Sequence, residues 1–480
     1  MFAQDLIGRL TPLRSPLHRP CHPFTLNRMF SLQDLSRREW LRVGGLSAAG
    51  LSLPTTLQEA TAHPSVPAGK AKACIFVFLG GGPPQHETWD PKPGAPAEIR
   101  GEFKPISTSL PGVHIGELMP RTAKLTHKVC VLRAVSTNDN AHSASGYWVL
   151  TGRPHTPMNQ ESGKPGPPND APSLTAIVRH LRKDAGRIPS SVILPEHIRN
   201  NPNNPWPGQF GGWLGRSADP WLLSCEPNAP RFSVPELSLP GDIAPLRFDD
   251  RRSLLEQVNR HLSDQDGSPF ASIQRQALDL LRTSGARNAF QLDEEPATVR
   301  DRYGRGKFGQ SLLLARRLVE AGVTMVQVNW PREKGDENSS NPLWDTHQKN
   351  AERLKTVLMP QMDQAYPALL EDLDQRGLLD STLVVWIGEF GRTPKINGAG
   401  GRDHWGHVFS AALCGGGIRG GQVIGASDKI GGHPKDGTVE PQDIHATLLH
   451  CLGVGSETEL RDVEGRVIPA MRGNVIRDAV

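Results

Sequence analysis

Short apolar runs that end in glycine-rich or polar loops recur along the chain, and they predict the buried strands of a sheet. The runs expected to form strands are residues 73–79, 129–135, 191–194, 323–329, 383–387, 408–413 and 420–425. Segments with helical spacing separate them, at 118–124, 143–150, 173–182, 251–320 and 351–376, and a last one begins at Pro441. Continuous apolar runs of this length that alternate with helices are typical of strands covered on both faces. The pattern therefore predicts an α/β fold with a mostly parallel central sheet.

The composition adds long loop insertions to this core. Only 37% of the 480 residues are hydrophobic, whereas the chain has 49 glycines and 42 prolines. We expect one large domain over residues 70–460, in which 153–250 is an irregular insertion, followed by a C-terminal tail at 461–480. Much of the net charge of +4 lies in the first 45 residues, so the sequence predicts no nucleic-acid surface. The six cysteines have no CxxC spacing and predict no disulfide framework.

Residues 1–62 have the features of an export leader. Arg37 and Arg38 precede a run of Gly, Ala, Ser and Leu that is too short and too rich in glycine to cross a membrane as a helix. This pattern predicts a twin-arginine signal peptide, with a candidate cleavage site at residues 60–62 and Met29 as an alternative start. The expected partner is then the twin-arginine translocase, and the expected location is the periplasm or another exported compartment. The alternative interpretation is an ordinary basic helix start.

Glu389 lies just beyond the apolar run at 383–387. Open α/β sheets bind their ligands outside the carboxyl ends of the strands, so this carboxylate is expected at a site. The loop after it supplies Asp403, His404 and His407. Carboxylates and imidazoles that converge at strand ends suit a zinc or manganese ion. In the alternative interpretation, Glu389 forms only an ion pair with an arginine of the same loop and the histidines are ordinary loop residues.

Two other predicted strands are followed by residues of the same kinds. His86 and Asp90 come after the first strand and its triple glycine, and Asp345 and His347 lie in a polar segment after the strand at 323–329. Because ligands bind at the carboxyl ends of such strands, these four side chains are further candidate metal ligands. For Asp90, a turn in front of Pro91 is the alternative explanation.

His142 and Ser143 are expected at the start of the helix predicted at 143–150. The unpaired N–H groups and the dipole of a helix N-terminus favour anions, so both residues are candidates for contact with an anionic substrate. The alternative for Ser143 is a simple N-cap, in which its hydroxyl accepts a hydrogen bond from the helix backbone.

The order strand, Asp345 and His347, helix, strand, Glu389 and His404 resembles the C-terminal half of the alkaline phosphatase superfamily. The segment STLVVWIGEFG stands where that superfamily has a metal-binding motif, and HSASGYWVLTG has the length and the Leu-Thr-Gly ending of the sulfatase nucleophile segment. The resemblance departs from the superfamily at three functional positions. His142 falls where sulfatases have their modified nucleophile, and Phe390 stands where a metal ligand is often found. Gly81 or Gly82 stands where an acidic residue is expected after the first strand.

A closer resemblance covers nearly all of residues 70–460. The blocks LGGGPPQHETWDPKP, RDRYGRGKFGQSLLLARRLVEAGVTMVQVNW, LWDTHQ and GEFGRTPKINGAGGRDHW, together with the twin-arginine leader, resemble the exported proteins of domain-of-unknown-function family 1501. This resemblance implies an alkaline phosphatase/sulfatase-like α/β/α sandwich and leaves the activity open.

The superfamily resemblance implies an exported metal-dependent hydrolase of phosphate or sulfate esters, with a small-molecule or glycan ester as substrate. Two divalent ions (zinc, manganese or calcium) are expected in such a site. The first ion would be held by Asp345, His347 and His404, and the second by His86, Asp90, Glu389 and His142.

The other roles follow from the same resemblance. Arg392 and Arg402 would neutralise substrate oxygens through bidentate contacts. The attacking group would be metal-activated water, Ser143 or His142. The alternative class is a non-catalytic exported binding module on the same scaffold. Bound metal separates the two classes, because a binding module predicts none at these residues.

Overall fold

A sheet of eight strands forms the centre of the structure, a computed structural model that describes residues 69–184, 188–200, 204–232, 234, 288–332 and 343–480. The strands are β1 (Ala73–Phe78), β2 (Val129–Val135), β3 (Ser191–Leu194), β4 (Trp221–Leu222), β5 (Met325–Asn329), β6 (Thr382–Ile387), β7 (Phe409–Cys414) and β8 (Gln422–Ile424). Their order across the sheet is β8-β2-β7-β6-β1-β5-β3-β4. Neighbouring strands are parallel except where β7 pairs with β6 and β2. The predicted α/β fold with a mostly parallel sheet is confirmed.

Helices cover both faces of this sheet because successive side chains of a strand point to opposite faces. In β1, Ile75 and Val77 belong to one apolar core, whereas Cys74 and Phe76 belong to the other. The helices are α1 (His142–Thr151), α2 (Leu174–Arg182), α3 (Ala297–Tyr303), α4 (Lys307–Glu320), α5 (Met359–Gln375) and α6 (Pro441–Cys451). Helices α3, α4 and α5 pack in the first core, and α1, α2 and α6 in the second. The result is a three-layer α/β/α sandwich.

The seven predicted strands begin and end within two residues of their predicted positions, whereas β4 was not predicted. The direction of β7 also differs from the expected parallel arrangement. Parallel neighbours need a long crossover, usually a helix. Between β6 and β7 the chain forms only a short ribbon that pairs Gly391–Arg392 with His404–Trp405, so β7 returns antiparallel to β6. The helix predicted at 351–376 is also divided, because a π-helical segment at Leu354–Leu358 precedes α5.

Shorter elements complete the described parts of the chain. Among the described residues there are three four-residue α-helices, several 3-10 turns and five two-stranded ribbons outside the central sheet. The short helices are Ala97–Arg100, Pro120–Ala123 and Asn350–Arg353, and 3-10 turns occupy Gln85–Glu87, Thr126–Lys128, Gly212–Leu214, Arg216–Ala218, Leu292–Glu294, Leu379–Ser381 and Arg477–Ala479. The other ribbons pair Pro105–Ser107 with His114–Gly116, Arg199–Asn200 with Asn204–Pro205, Ala426–Ser427 with Pro434–Asp436, and Glu459–Arg461 with Val467–Pro469.

Two predicted segment boundaries are refined by the structure. Within the predicted insertion at 153–250, β4 pairs with β3 and so extends the edge of the sheet. The predicted tail at 461–480 takes part in a ribbon, and the backbone N–H of Arg419 donates to the carbonyl of Ala479 (2.8 Å). The first part of the helical region predicted at 251–320 lies outside the described residues, as does the leader at 1–62.

No helix in the described part of the chain has both the length and the apolar character that a membrane span requires. The five cysteines within the described ranges have no disulfide partner, and they are Cys74, Cys130, Cys225, Cys414 and Cys451.

Candidate metal centre

Five of the predicted site residues meet at the carboxyl ends of the central strands. His142 is the first residue of α1, which follows β2, and Glu389 follows β6. Asp345 and His347 lie beyond β5 in the chain, and His404 comes from the ribbon between β6 and β7. This edge of the sheet is where open α/β folds bind their ligands.

Three imidazoles converge on the carboxylate of Asp345. The Nε2 atoms of His347 and His404 lie 3.0 Å and 3.2 Å from Asp345 Oδ1, and Nε2 of His142 lies 3.2 Å from Oδ2. The Nε2 atoms of His347 and His404 are only 2.9 Å apart. The ligand atoms of His142, Asp345 and His404 all lie within 4.8 Å of one another. We refer to His142, Asp345, His347 and His404 as the histidine cluster.

The other ring nitrogen of each of these histidines is held by a hydrogen-bond acceptor. Nδ1 of His142 donates to Glu389 Oε1 (2.7 Å), and Nδ1 of His347 donates to Asp403 Oδ1 (2.8 Å). Nδ1 of His404 donates to the backbone carbonyl of Asn140 (2.8 Å). Metal-binding histidines almost always have such a partner, because it fixes the ring and directs Nε2 at the metal. Three imidazoles and one carboxylate form a donor set that suits zinc and other first-row divalent ions.

Glu389 supports the histidine cluster and has one oxygen that lacks a partner. Its side chain is fully buried, and Oε1 accepts a second hydrogen bond from the backbone N–H of Gly81 (2.8 Å). Its Oε2 has no hydrogen-bond partner among the described residues. A buried carboxylate oxygen without a donor costs free energy, which a cation nearby would lower.

Gly81 must be glycine for this contact to form. It adopts a φ of +107°, and a Cβ atom there would lie 2.5 Å from the backbone nitrogens of Trp344 and Asp345. Glycine at this position therefore lets the backbone of the Asp345 loop approach closely. This close approach explains the glycine without a phosphate-binding loop.

Protons on two imidazoles balance part of the negative charge in the cluster. Burial lowers the pKa of His142, but Asp345 and Glu389 outweigh it and raise that pKa to about 10. The hydrogen bond that His347 donates to the Asp345 carboxylate likewise raises the pKa of His347. Burial would raise the pKa of Asp345, yet Arg392 and His142 hold it well below its usual range. Burial lowers the pKa of His404 to about 4, so His404 is neutral and its Nε2 can accept from His347.

We expect the protein, stripped of metal with a chelator, to lose stability as the pH rises from 7 towards 11. The folded-state pKa of His142 is about 10, against an ordinary value of 6.5, so its stabilising effect is complete below pH 6.5 and is lost through pH 10. The free energy of unfolding should fall by roughly 2–4 kcal/mol, as measured by urea unfolding. In the His142→Gln variant most of this dependence should disappear. An undiminished dependence in that variant would contradict the assignment.

Arg392 and Arg402 do not face a substrate, contrary to the prediction from sequence. Both side chains are fully buried. Arg392 donates to Asp345 Oδ1 (2.6 Å), and Arg402 forms an ion pair with Glu87 (2.6 Å). Their remaining N–H groups bind backbone carbonyls, which for Arg392 belong to Gly81, Gly82, Trp344 and Arg402 and for Arg402 to Ile99, Thr393 and Pro394. Both arginines therefore position loops, and Arg392 also positions the Asp345 carboxylate.

Ser143 is likewise buried and bonded rather than free to attack a substrate. Its Oγ has donor geometry towards the carbonyls of Gln160 (2.9 Å) and Glu161 (2.5 Å), and it accepts from the N–H of Gly163 (2.8 Å). The hydroxyl is not an N-cap either, because the N-cap of α1 is Ala141. Ser143 fixes the 160–163 segment against the start of α1.

Replacing Ser143 with alanine should therefore destabilise the fold and leave metal binding in place. The segment loses the single O–H proton shared between the carbonyls of Gln160 and Glu161, and the N–H of Gly163 loses its acceptor. These losses should lower the free energy of unfolding by about 1–3 kcal/mol. Urea unfolding of this variant, beside the exposed-site control Ser456→Ala, measures the loss. An unchanged stability combined with a complete loss of turnover would instead indicate the nucleophile role that we reject.

His86, Asp90 and His407 do not join the histidine cluster. His86 Nε2 contacts the carbonyl of Ile430 (2.7 Å), and burial together with Arg402 lowers its pKa to about 3. None of the described hydrogen bonds or ion pairs of these three residues reaches a cluster member. The other partners are Lys92, Arg133 and Ser427 for Asp90, and Asn138, Trp405 and His433 for His407. Within the described residues, no set of ligands converges on His86 and Asp90 to hold the second predicted ion. Asp403 and Glu389 instead accept hydrogen bonds from ring nitrogens of the cluster.

Sequence reasoning missed Glu161, which lies beside the cluster. Its Oε2 accepts a hydrogen bond from the backbone N–H of His142 (2.9 Å), and its Oε1 lies 3.4 Å from Nδ1 of His404. Glu161 belongs to the loop after α1, which is rich in proline and glycine and shows no periodicity. No local signal could have identified it, because its position depends on how that loop folds back over α1.

Phe390, at the position where a metal ligand was expected, forms an apolar wall of the site. Its ring centroid lies 4.9 Å from that of His142 and 4.7 Å from that of His404. Aromatic packing of this kind restricts the rotation of both imidazoles and keeps water from one side of them.

Comparison with solved structures finds several that resemble this chain at low sequence identity. Similar solved structures include the sulfatase PsFucS1 from Pseudoalteromonas sp., with 14% identity, a TM-score of 0.38 and coverage of 92% of this chain and 74% of that one. A protein of the alkaline phosphatase superfamily from Vibrio parahaemolyticus has 13% identity and a TM-score of 0.36, covering 82% and 68%. TAB5 alkaline phosphatase has 14% identity and a TM-score of 0.35, covering 80% and 99%. These likenesses concern fold alone.

The family assignment comes from the sequence. No curated protein matches this chain. A family model described as "Protein of unknown function (DUF1501)" matches residues 71–480, which include every strand of the sheet and every member of the histidine cluster. The chain therefore belongs to the DUF1501 family.

Proposed function

We propose that this protein is a hydrolase of phosphate or sulfate esters that uses one divalent metal ion at the histidine cluster. The observation that carries the proposal is the convergence of three Nε2 atoms on Asp345 while each Nδ1 is held by an acceptor. A metal ion bound there would polarise the ester and lower the pKa of a water molecule. In the alternative interpretation, the histidines only fulfil one another's hydrogen bonds and bind no metal. That interpretation does not explain why Oε2 of the buried Glu389 has no hydrogen-bond partner among the described residues.

The surrounding residues of the chain orient the ligands. Glu389 and Asp403 fix the rings of His142 and His347, and Arg392 fixes the carboxylate of Asp345. Such outer partners typically change metal affinity or activity by about 10–100-fold when they are removed. The cluster is therefore preorganised before a substrate arrives.

Neither residue at the start of α1 is available as a nucleophile. Both ring nitrogens of His142 contact carboxylates, and the hydroxyl of Ser143 is bonded to the 160–163 segment. We therefore propose water as the attacking group, so that the reaction has no covalent enzyme intermediate. Activation of water needs only the histidine cluster. This agrees with the sequence, because His142 stands where sulfatases have their nucleophile.

Turnover of aryl phosphates and aryl sulfates by the zinc- or manganese-loaded protein tests this proposal. His404→Ala should lower kcat/KM by at least about a hundredfold, because it removes a ligand atom from the cluster. His407→Ala is the matched control, since this histidine is three residues away and does not contact the cluster. Loaded protein that turns over none of these esters, or equal activity in both variants, would contradict the proposal.

A further inference from the structure

A second cavity with charged walls lies at the C-terminal end of α1. Its lining includes Arg153, Arg472, Trp213 and His445, and none of the described residues that line it is an aspartate or a glutamate. His142 of the histidine cluster is the first residue of the ten-residue helix α1, whereas the cavity adjoins the last residue. Since an α-helix rises about 1.5 Å per residue, the ends of α1 are roughly 15 Å apart, and the cavity is separate from the candidate metal centre.

Two arginines meet in this cavity without an acidic partner. The guanidinium of Arg153 is half-buried and lies over the ring of Trp213, with 5.6 Å between Cζ and the ring centroid. Among the described residues, neither Arg153 nor Arg472 forms an ion pair, and no acceptor binds an N–H group of either side chain. Burial, and after it the charge of Arg472, lowers the pKa of Arg153. A half-buried cation without a partner costs free energy, which an anion bound beside it would lower.

The other polar side chains of the cavity wall are bonded elsewhere. Nε2 of His445 donates to the carbonyl of Val149 (2.8 Å), and burial lowers the pKa of His445 to about 4, so this ring is neutral. Gln442 accepts from Nε1 of Trp148 (2.8 Å) and donates to Glu440 (2.5 Å). Glu440 itself does not line the cavity and forms no described ion pair with either arginine. The cavity therefore combines positive charge with N–H donors that have no acceptor among the described residues.

The fold holds the guanidinium of Arg153 in place. Gly152 is the C-cap of α1 and has a φ of +67°, a left-handed conformation that ends the helix and directs the next residue out of it. The ring beneath the guanidinium is fixed as well, because the backbone N–H of Trp213 donates to the carbonyl of Asp170 (2.9 Å). An arginine stacked on an aromatic ring in this way keeps the N–H groups at the edge of its plane available for a ligand.

We propose that this cavity binds a tetrahedral oxyanion, a sulfate or phosphate group, between the guanidinium groups of Arg153 and Arg472. A planar guanidinium donates two parallel N–H bonds to a pair of oxygens, so two guanidinium groups suit an anion with more oxygens and more charge than a carboxylate. The bound anion would also replace the repulsion between the two arginines by attraction. The inference is independent of the proposed hydrolase function, because the cavity shares no residue with the histidine cluster.

Titration calorimetry of the full-length protein with sodium sulfate, at constant ionic strength, tests the inference. We expect sulfate to bind with a Kd of about 1 mM or tighter. Arg153→Gln and Arg472→Gln should each weaken this binding at least about tenfold, because each removes one charge and one pair of N–H donors. Arg419→Gln, which replaces an exposed arginine outside the cavity lining, is the matched control and should leave the binding unchanged. His404→Ala should also leave it unchanged, since the histidine cluster lies at the other end of α1.

Two sources of such a group are separated by a second probe, galactose 6-sulfate. Tighter binding than that of the sulfate ion would identify a substituent on a carbohydrate, and equal or weaker binding would identify the free inorganic anion. The inference is overturned if neither probe binds, if both glutamine variants bind sulfate as tightly as the unaltered protein, or if His404→Ala abolishes the binding. Circular dichroism checks that each variant is folded. Arg472→Gln keeps the test decisive even if Arg153→Gln, which loses the contact with Trp213, does not fold.

Discussion

Asp345→Asn is expected to weaken zinc binding by at least about a hundredfold. Among the residues that the structure describes, Asp345 alone contacts all three imidazoles of the cluster, through Oδ1 to His347 and His404 and through Oδ2 to His142. Asparagine keeps the shape and one acceptor but removes the charge, so the ion loses its only carboxylate ligand in the cluster. Competition with a chelator of known affinity measures the change.

Asp403→Asn is the graded control for this experiment. Within the cluster, Asp403 contacts only Nδ1 of His347, and its side chain is about half exposed (53%). Its replacement should therefore weaken zinc binding by about tenfold at most. Equal losses in the two variants would mean that Asp403 is itself a ligand. Unchanged zinc affinity in Asp345→Asn would remove Asp345 from the site altogether.

Arg392→Met should lower the free energy of unfolding by about 3–5 kcal/mol, the largest effect on stability that we expect. The guanidinium is fully buried and pairs with Asp345, so its removal leaves a carboxylate without its cation. It also leaves the backbone carbonyls around Gly82 without a donor. Methionine fills part of the volume, so the expected loss comes mainly from charge and hydrogen bonding.

Arg466→Met provides the comparison for that loss. Arg466 pairs with Asp462, and its own side chain is 66% exposed, so solvent screens the pair and the same substitution there should lower the free energy of unfolding much less than Arg392→Met does. Guanidinium chloride unfolding of both variants, with a chelator present, separates the fold effect from metal binding. A loss below 1 kcal/mol in Arg392→Met would show that Arg392 is not the buried counter-ion of Asp345.

The sequence was sufficient to predict that Glu389, Asp345 and His142 lie near the carboxyl ends of strands. Glu389 and Asp345 each follow a fully buried strand, and both appear at the same edge of the sheet because β6 and β5 flank β1 in parallel. His142 was identified for a related reason, since it begins the helix after β2. The periodicity of apolar residues carried this information, because it decides which segments form strands and helices.

The roles within the site could not be predicted in the same way. A carboxylate beside a histidine has the same sequence signature whether it binds the metal or the Nδ1 of that histidine, as Asp403 does. The superfamily resemblance implied that Arg392 and Arg402 bind substrate oxygens, but both guanidinium groups are buried. Their burial depends on carbonyls from distant loops, such as those of Gly81 and Ile99, which only the folded chain brings together.

X-ray absorption at the zinc edge of the loaded protein tests the central claim most directly, because it counts the ligands of the ion. We predict one zinc per chain, with three imidazole nitrogens and one or two oxygens at about 2.0–2.2 Å. His142→Ala, His347→Ala and His404→Ala should each lower the imidazole count by one or abolish binding, and His407→Ala should not. A zinc ion bound through fewer than two imidazoles, or a folded protein that takes up no divalent ion, would contradict the account.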